Sequence, residues 1–198
     1  MIIGLTGSIA SGKSTVSSML KNRGFPIIDA DLVARKVVEK GEPALQEITD
    51  SFGEEVLLPD GTLNRAKLGS IIFNDPAKRK QLNDIIHPAI RVEMLRQRDE
   101  WLSQGAETVV MDIPLLFESR LQHFVDKILV VSVTEEIQLK RLMERNQLSE
   151  EEAMSRIRSQ LPISEKEKGA DAVIYNNGTI EGTEEQLDKI LSYWKVEI

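Results

Sequence analysis

Short unbroken apolar runs alternate with stretches of helical periodicity along the first part of the chain. Ile2, Ile3 and Leu5 form a run interrupted and bounded by glycine, the pattern of a strand buried on both faces. In KSTVSSMLKNRG the apolar residues Val16, Met19 and Leu20 recur at helical spacing, and Gly24 stands where a helix C-cap belongs. FPIID supplies a second short strand ending at Asp29. Strand, helix and strand within residues 2–29 make a βαβ unit, so the sheet is at least partly parallel.

Between Asp31 and Gln104 the strand signature disappears. Leu32, Val33, Val37 and Val38 predict a helix ended by Gly41, and Leu45, Ile48 and Phe52 another ended by Gly53. LLPDGTLN carries Asp60-Gly61 at the apex of a turn. Asn64 is placed to cap a helix bearing Leu68, Ile71, Ile72 and Phe73, and Asp75-Pro76 to cap and start the next. Pro88 is expected to end or kink that helix, after which the pattern stays helical through Met94, Leu95 and Trp101 to Gly105. A helical stretch of this length exceeds an ordinary crossover and predicts a subdomain on the substrate side. ETVVMDIPLLFE then restores the buried-strand pattern, with Val109, Val110 and Met111 leading into Asp112, and DKILVVSV gives a fourth strand. Glu135 to Lys168 is a polar, exposed helical excursion, ADAVIYNNG a fifth strand ending in a turn, and TEEQLDKILSYW a closing amphipathic helix.

With 198 residues, 41% of them hydrophobic, the chain can bury one substantial core with a smaller subdomain attached. A net charge of −7 with the two signs interspersed argues against nucleic acid or an anionic membrane as the main partner. The lack of cysteine excludes disulfides, zinc-thiolate sites and thiol nucleophiles. The apolar start MIIGL is too short for a signal-peptide core, and no run approaches the length of a membrane span; a cytoplasmic protein is expected.

The chemistry is concentrated in Gly7-Ser8-Ile9-Ala10-Ser11-Gly12-Lys13-Ser14. Its spacing, G-x-x-x-x-G-K-S, follows a strand and opens a helix, the context a phosphate-binding loop needs. Gly7 and Gly12 let the backbone wrap the β-phosphate, Lys13 reaches β and γ oxygens, and Ser14 can ligate Mg²⁺. Asp112, ending an apolar strand, either supports that Mg²⁺, directly or through water, or caps the turn at Pro114. Asp29 and Asp31 lie beyond the carboxyl end of the second strand, where open α/β sheets bind ligands. One of them serves as an N-cap or, alternatively, orients an acceptor hydroxyl and takes its proton. Lys140, Arg141, Arg145, Arg156 and Arg158 form either a solvated face or a segment that closes over the transferring phosphate, with Arg141 the best placed for the second role. His87, before Pro88, is a structural turn residue or a ligand; His123 is assigned to the surface. The guanine motif Asn-Lys-x-Asp is absent, and Asp50-Ser51-Phe52-Gly53 matches a switch motif in letters only, since it ends a helical pattern. A helical insertion, a second-strand carboxylate and an arginine-rich excursion together describe a small-molecule kinase. A nucleoside monophosphate kinase and a non-catalytic nucleotide-binding regulator are the alternatives.

Five segments in order, GLTGSIASGKST, IIDADLVARKVV, LNDIIHPAI, DIPLLFES and ADAVIYNNG, are similar to the successive signature segments of dephospho-coenzyme A kinases. The resemblance covers essentially the whole chain. It implies transfer of the γ-phosphate of ATP, with Mg²⁺, to the ribose 3′-hydroxyl of dephospho-CoA, the last step of CoA synthesis. It implies an α/β fold: a P-loop three-layer α/β/α core with a five-stranded parallel sheet, a helical substrate domain and a helical lid. The expected division gives residues 1–34, 105–134 and 169–198 to the core, 35–104 to the CoA-binding subdomain and 135–168 to the lid. By position, Asp31 matches the family's general base, Lys13 its P-loop lysine and Arg141 its lid arginine. Ala10, Ser11, Gly12, Lys13, Ser14, Thr15 and Asn176 fall on the nucleotide side, with the turn at Asn176-Asn177-Gly178 near the adenine. Asp31, Arg35, His87, Pro88 and Leu115 fall on the substrate side, and Ser14 and Asp112 at the metal. Many family members carry glycine where this chain has Ser8 and Ala10, and the cradle is expected to survive with Ala10 at negative φ.

Overall fold

The computed structural model describes residues 1–196 and divides into two compact units, Met1–Ile28 with the chain from Trp101 onward, and Asp29–Glu100. The first unit is built on a five-stranded parallel sheet of order β2-β3-β1-β4-β5, from strands Ile2–Gly7 (β1), Ile27–Asp29 (β2), Val109–Asp112 (β3), Lys127–Ser132 (β4) and Ala172–Tyr175 (β5). β1 pairs in parallel with β3, Leu5 opposite Asp112, and with β4, Gly7 opposite Val131. Its central place explains its sequence, because every one of its residues is buried. One face of the sheet, carrying Ile3, Leu5, Val110, Leu129, Val131 and Ile174, is covered by helices Lys13–Asn22 (α1) and Ile180–Tyr193 (α9), through Val16, Leu20, Leu187 and Leu191. Each such side chain contributes about 1.5–3 kcal/mol on removal from water. Across the opposite face, Leu116 and Val125 lie so close over Gly4 that a Cβ there would stand 2.8 Å from Leu116 Cδ1.

The second unit holds helices Ala30–Lys36 (α2), Pro43–Phe52 (α3), Arg65–Ile72 (α4) and most of Pro76–Ser103 (α5). Several local signals act as read, although α2 ends at Lys36 and not at Gly41. Asn64 caps α4 by accepting from the Lys67 N–H, Asp75 accepts from Ala77 and Lys78 at the start of α5, and Gly61 turns at φ 82. Of the two outcomes expected at Pro88, an end to the helix is not found: the 28 residues of α5 form one element that runs through it. The proline removes only the bond to the Asp84 carbonyl, and residues 83, 84, 87 and 88 are all exposed, so water can supply that carbonyl with the missing donor. His87 is therefore an exposed residue inside a helix, not a turn or cap. Of the four apolar residues that predict this helix, Leu32 is 60% exposed, while Val33, Val37 and Val38 are buried. α2 is tied to α5 by Glu93, which accepts from Lys36 Nζ at 2.6 Å, Arg96 Nε at 2.7 Å and Gln97 Nε2 at 2.9 Å.

The polar excursion resolves into three helices, Glu135–Asn146 (α6), Glu150–Arg158 (α7) and Ile163–Lys168 (α8). Gln147 at φ 52 closes α6, and a capping box between Ser149 and Glu152 opens α7. Among the described residues no helix is long and apolar enough to cross a membrane.

Candidate active site

The loop between β1 and α1 is shaped by close approach. A Cβ at Gly7 would stand 2.7 Å from the Val131 carbonyl oxygen, so the chain can leave the sheet there only as glycine. Gly12 stands at the N-cap position of α1 with φ 87, where it has no side chain to satisfy the helix amides, and a Cβ on it would overlap the Asn176 amide. Ala10 adopts φ 60, not the negative φ expected of it; the loop keeps its left-handed turn at the alanine, at a penalty of about 1–2 kcal/mol. Unlike α2, α4, α6, α7 and α9, which are capped by Asp29, Asn64, Thr134, Ser149 and Thr179, α1 has no side-chain cap. Its N-terminal amides are the partial positive charge that a phosphate requires. Within the same loop the hydroxyls of Ser8 and Ser11 are buried without a protein partner, an arrangement that fits a bound oxyanion or its water.

Charge gathers around this loop. Lys13 Nζ donates to Asp112 Oδ1, and the Asp112 side chain is almost wholly buried at the end of β3, beside β1 in the sheet. Arg141, half-buried on α6, brings Nη1 to 3.9 Å from where a Gly12 Cβ would be, so a guanidinium from the polar excursion stands at the phosphate loop. Asn176 is buried at the end of β5; its Nδ2 donates to the Ser11 carbonyl at 2.9 Å and its Oδ1 accepts from Thr183 Oγ1 at 2.8 Å. Its side chain is thus committed to bracing the loop. Ser14 is exposed at the start of α1, Thr15 follows it half-buried, and Leu115, 45% exposed, lies in the loop after β3. No cluster of three or more His, Asp or Glu that could hold a metal occurs among the described residues. Mg²⁺ needs none, because it keeps several waters and takes one or two carboxylates with substrate phosphates. The hard oxygen donors of Ser14 and Asp112 fit it.

In the second unit, the choice between Asp29 and Asp31 has a geometric answer. Asp29 Oδ1 accepts from the Asp31 and Leu32 N–H groups at 2.8 and 3.1 Å and is the N-cap of α2. Asp31 is left exposed one turn before Arg35, which is exposed as well. His87 and Pro88 stand together on α5. His123 is at the surface.

Three residues with no role in the sequence reading bear on the loop. Gln138 on α6 donates from Nε2 to the Ile9 carbonyl at 2.8 Å, and Gln160, after α7, accepts from the Ile9 N–H at 2.8 Å. Lys166 on α8 is fully buried; its Nζ donates to the carbonyls of Gly7 at 3.2 Å and Pro114 at 3.3 Å and pairs with Glu118 at 2.9 Å. One signal was available: Gln138 lies four residues before Leu142, on the buried side of α6.

A glycine-rich loop between a central strand and an uncapped helix, a buried carboxylate paired with the loop lysine and an arginine at the loop define the P-loop kinase class. The family model described as dephospho-CoA kinase matches residues 1–182. The chain belongs to the dephospho-CoA kinase family. It is 57% identical over 196 residues to the dephospho-CoA kinase of Bacillus anthracis, covering 99% of this chain and 98% of that one. Among solved structures it is similar to a Thermus thermophilus protein at 36% identity and a TM-score of 0.79, covering 98% of this chain and 97% of that one. It is similar also to the dephospho-CoA kinase from Campylobacter jejuni at 33% identity and a TM-score of 0.75, covering 98% and 96%.

Proposed function

We infer that the enzyme carries out the ATP-dependent last step of CoA biosynthesis with Lys13, Arg141 and Asp31 in the reacting roles. The observation that carries the residue assignment is the gathering of Lys13, Asp112 and Arg141 at one uncapped helix N-terminus. The α1 amides and Lys13 hold the β- and γ-phosphoryl oxygens of ATP. Arg141 neutralises charge that develops on the transferring group, and closing α6 over it excludes water as a competing acceptor. Ser14 and Asp112 would hold Mg²⁺, which when bound draws charge from the β- and γ-oxygens.

The acceptor is the ribose 3′-hydroxyl of dephospho-CoA. Its oxygen forms the new bond to the γ-phosphorus as the bond to the β,γ-bridging oxygen breaks, ADP leaves, and the hydroxyl proton passes to Asp31. Asp31 is supported in that role by its place just beyond the carboxyl end of β2 and by the capping duty falling on Asp29. Arg35, His87, Pro88 and Leu115 complete the acceptor side, and Ala10 to Thr15 with the Asn176 turn the nucleotide side. In this reading residues 35–104 recognise CoA and 135–168 form the lid, and the enzyme is cytoplasmic. Asp31→Asn tests it: kcat is expected to fall strongly while the Kd for ATP stays unchanged, and near-normal turnover would overturn the assignment of the base.

A further inference from the structure

Ala10 occupies a left-handed conformation that an L-residue leaves readily, and two side chains from far along the chain meet at the residue before it. The Ile9 carbonyl belongs to the peptide plane whose rotation defines φ of Ala10, and Gln138 Nε2 donates to that carbonyl at 2.8 Å. The Ile9 N–H belongs to the preceding plane, and Gln160 Oε1 accepts from it at 2.8 Å. Gln138 is 3% exposed and sits one helical turn before Arg141 on α6, while Gln160 follows α7. The planes on both sides of Ile9 are therefore gripped from the two ends of the α6–α7 segment. The grip is chemically directional: position 138 must donate and position 160 must accept.

We propose that Gln138 and Gln160 are positioning residues for ATP, clamping the Ile9 backbone so that the phosphate loop keeps Ala10 left-handed. This rests on the reading of the loop as the ATP site. Glycine at position 10 would need no clamp, since it takes positive φ without a steric penalty. With alanine the clamp opposes a preference that corresponds to about 5- to 30-fold in a two-state equilibrium. It also links the segment that carries Arg141 to the loop, so that nucleotide binding and the placing of the arginine share one structural element.

The test is equilibrium titration with ATP and Mg²⁺ of the full chain and its Gln138→Met, Gln160→Met, Gln160→Glu and Gln138→Met/Ala10→Gly variants, with thermal unfolding of each. Both methionine variants should weaken ATP about 5- to 30-fold and leave the KM for dephospho-CoA unchanged. Glu at 160 retains the acceptor and should restore most of what Met loses, and adding Ala10→Gly should recover affinity lost in Gln138→Met. A merely structural role would lower Tm without this pattern. Unchanged ATP affinity in both methionine variants, or no recovery on adding glycine, overturns the clamp. Should Gln138→Met fail to fold, the Met and Glu variants at 160 decide: equal ATP affinities overturn the proposal. Lys13→Ala separates the two readings, since unchanged ATP affinity there would refute the ATP site itself.

Discussion

Lys166 carries a charge that the fold has sealed from water, and its removal has a calculable consequence. Its ammonium is fully buried against Glu118 at 2.9 Å and the carbonyls of Gly7 and Pro114 at 3.2 and 3.3 Å. Lys166→Met keeps much of the stem and deletes the charge. Breaking a fully buried pair by removing one partner costs about 3–5 kcal/mol. Glu118 is 24% exposed and still accepts from the Leu161 N–H at 3.2 Å, which reduces that figure to about 2 kcal/mol. Of the two carbonyls, Pro114 keeps the Thr6 hydroxyl at 3.1 Å, so their loss adds about 1–2 kcal/mol. Urea unfolding near neutral pH, followed by the fluorescence of buried Trp194, should show Lys166→Met destabilised by about 3 kcal/mol. Lys166→Met/Glu118→Gln removes the orphaned charge and should recover about 1 kcal/mol of that. A loss below about 1 kcal/mol in the single variant, or no recovery in the double, would be incompatible with a buried, paired ammonium at this position.

Arg141→Ala should lower kcat by about 10³-fold or more, with ATP affinity little changed; an effect confined to KM would make the arginine a positioning group. Glu93 is held below the usual carboxylate range first by the hydrogen bond from Arg96, with Gln97 and Lys36 adding to it against the effect of burial. Its folded-state pKa is depressed, so the stability it gives is present above the unfolded value of about 4.3 and is lost as pH falls through the folded one. Glu93→Gln should therefore lower stability by about 1 kcal/mol near neutral pH, and the gap from wild type should close on acidification below about pH 5. A gap that widens with acid would contradict the network.

What could be read along the chain was whatever short spacing decides. The phosphate loop, the caps at Asn64 and Asp75 and the carboxylate at the end of β3 are each set by residues within a few positions of one another. Pro88 does not end its helix because the donor it lacks would have served Asp84, and among these exposed residues water can serve that carbonyl instead. Ala10 misled because the preference of alanine is local and the contacts that override it are not: Gln138 and Gln160 lie 129 and 151 residues from Ile9. Lys166 was hidden for the same reason, its partner Gly7 being 159 residues away, and inside a run rich in lysine and glutamate it looked like solvated surface. Asp31 needed geometry as well, because only the hydrogen bonds at the start of α2 show that Asp29 does the capping.

A kinase of this design passes the γ-phosphoryl group from the phosphate loop to one alcohol and not to water. Release of ADP should be measured with dephospho-CoA, with adenosine, with nucleoside monophosphates and with no acceptor, and the phosphorylated position of the product determined. ADP release is expected to depend on dephospho-CoA, with one ADP for each product molecule phosphorylated at the ribose 3′-oxygen; equal release without acceptor, or turnover sustained by a nucleoside monophosphate, would overturn the proposed function.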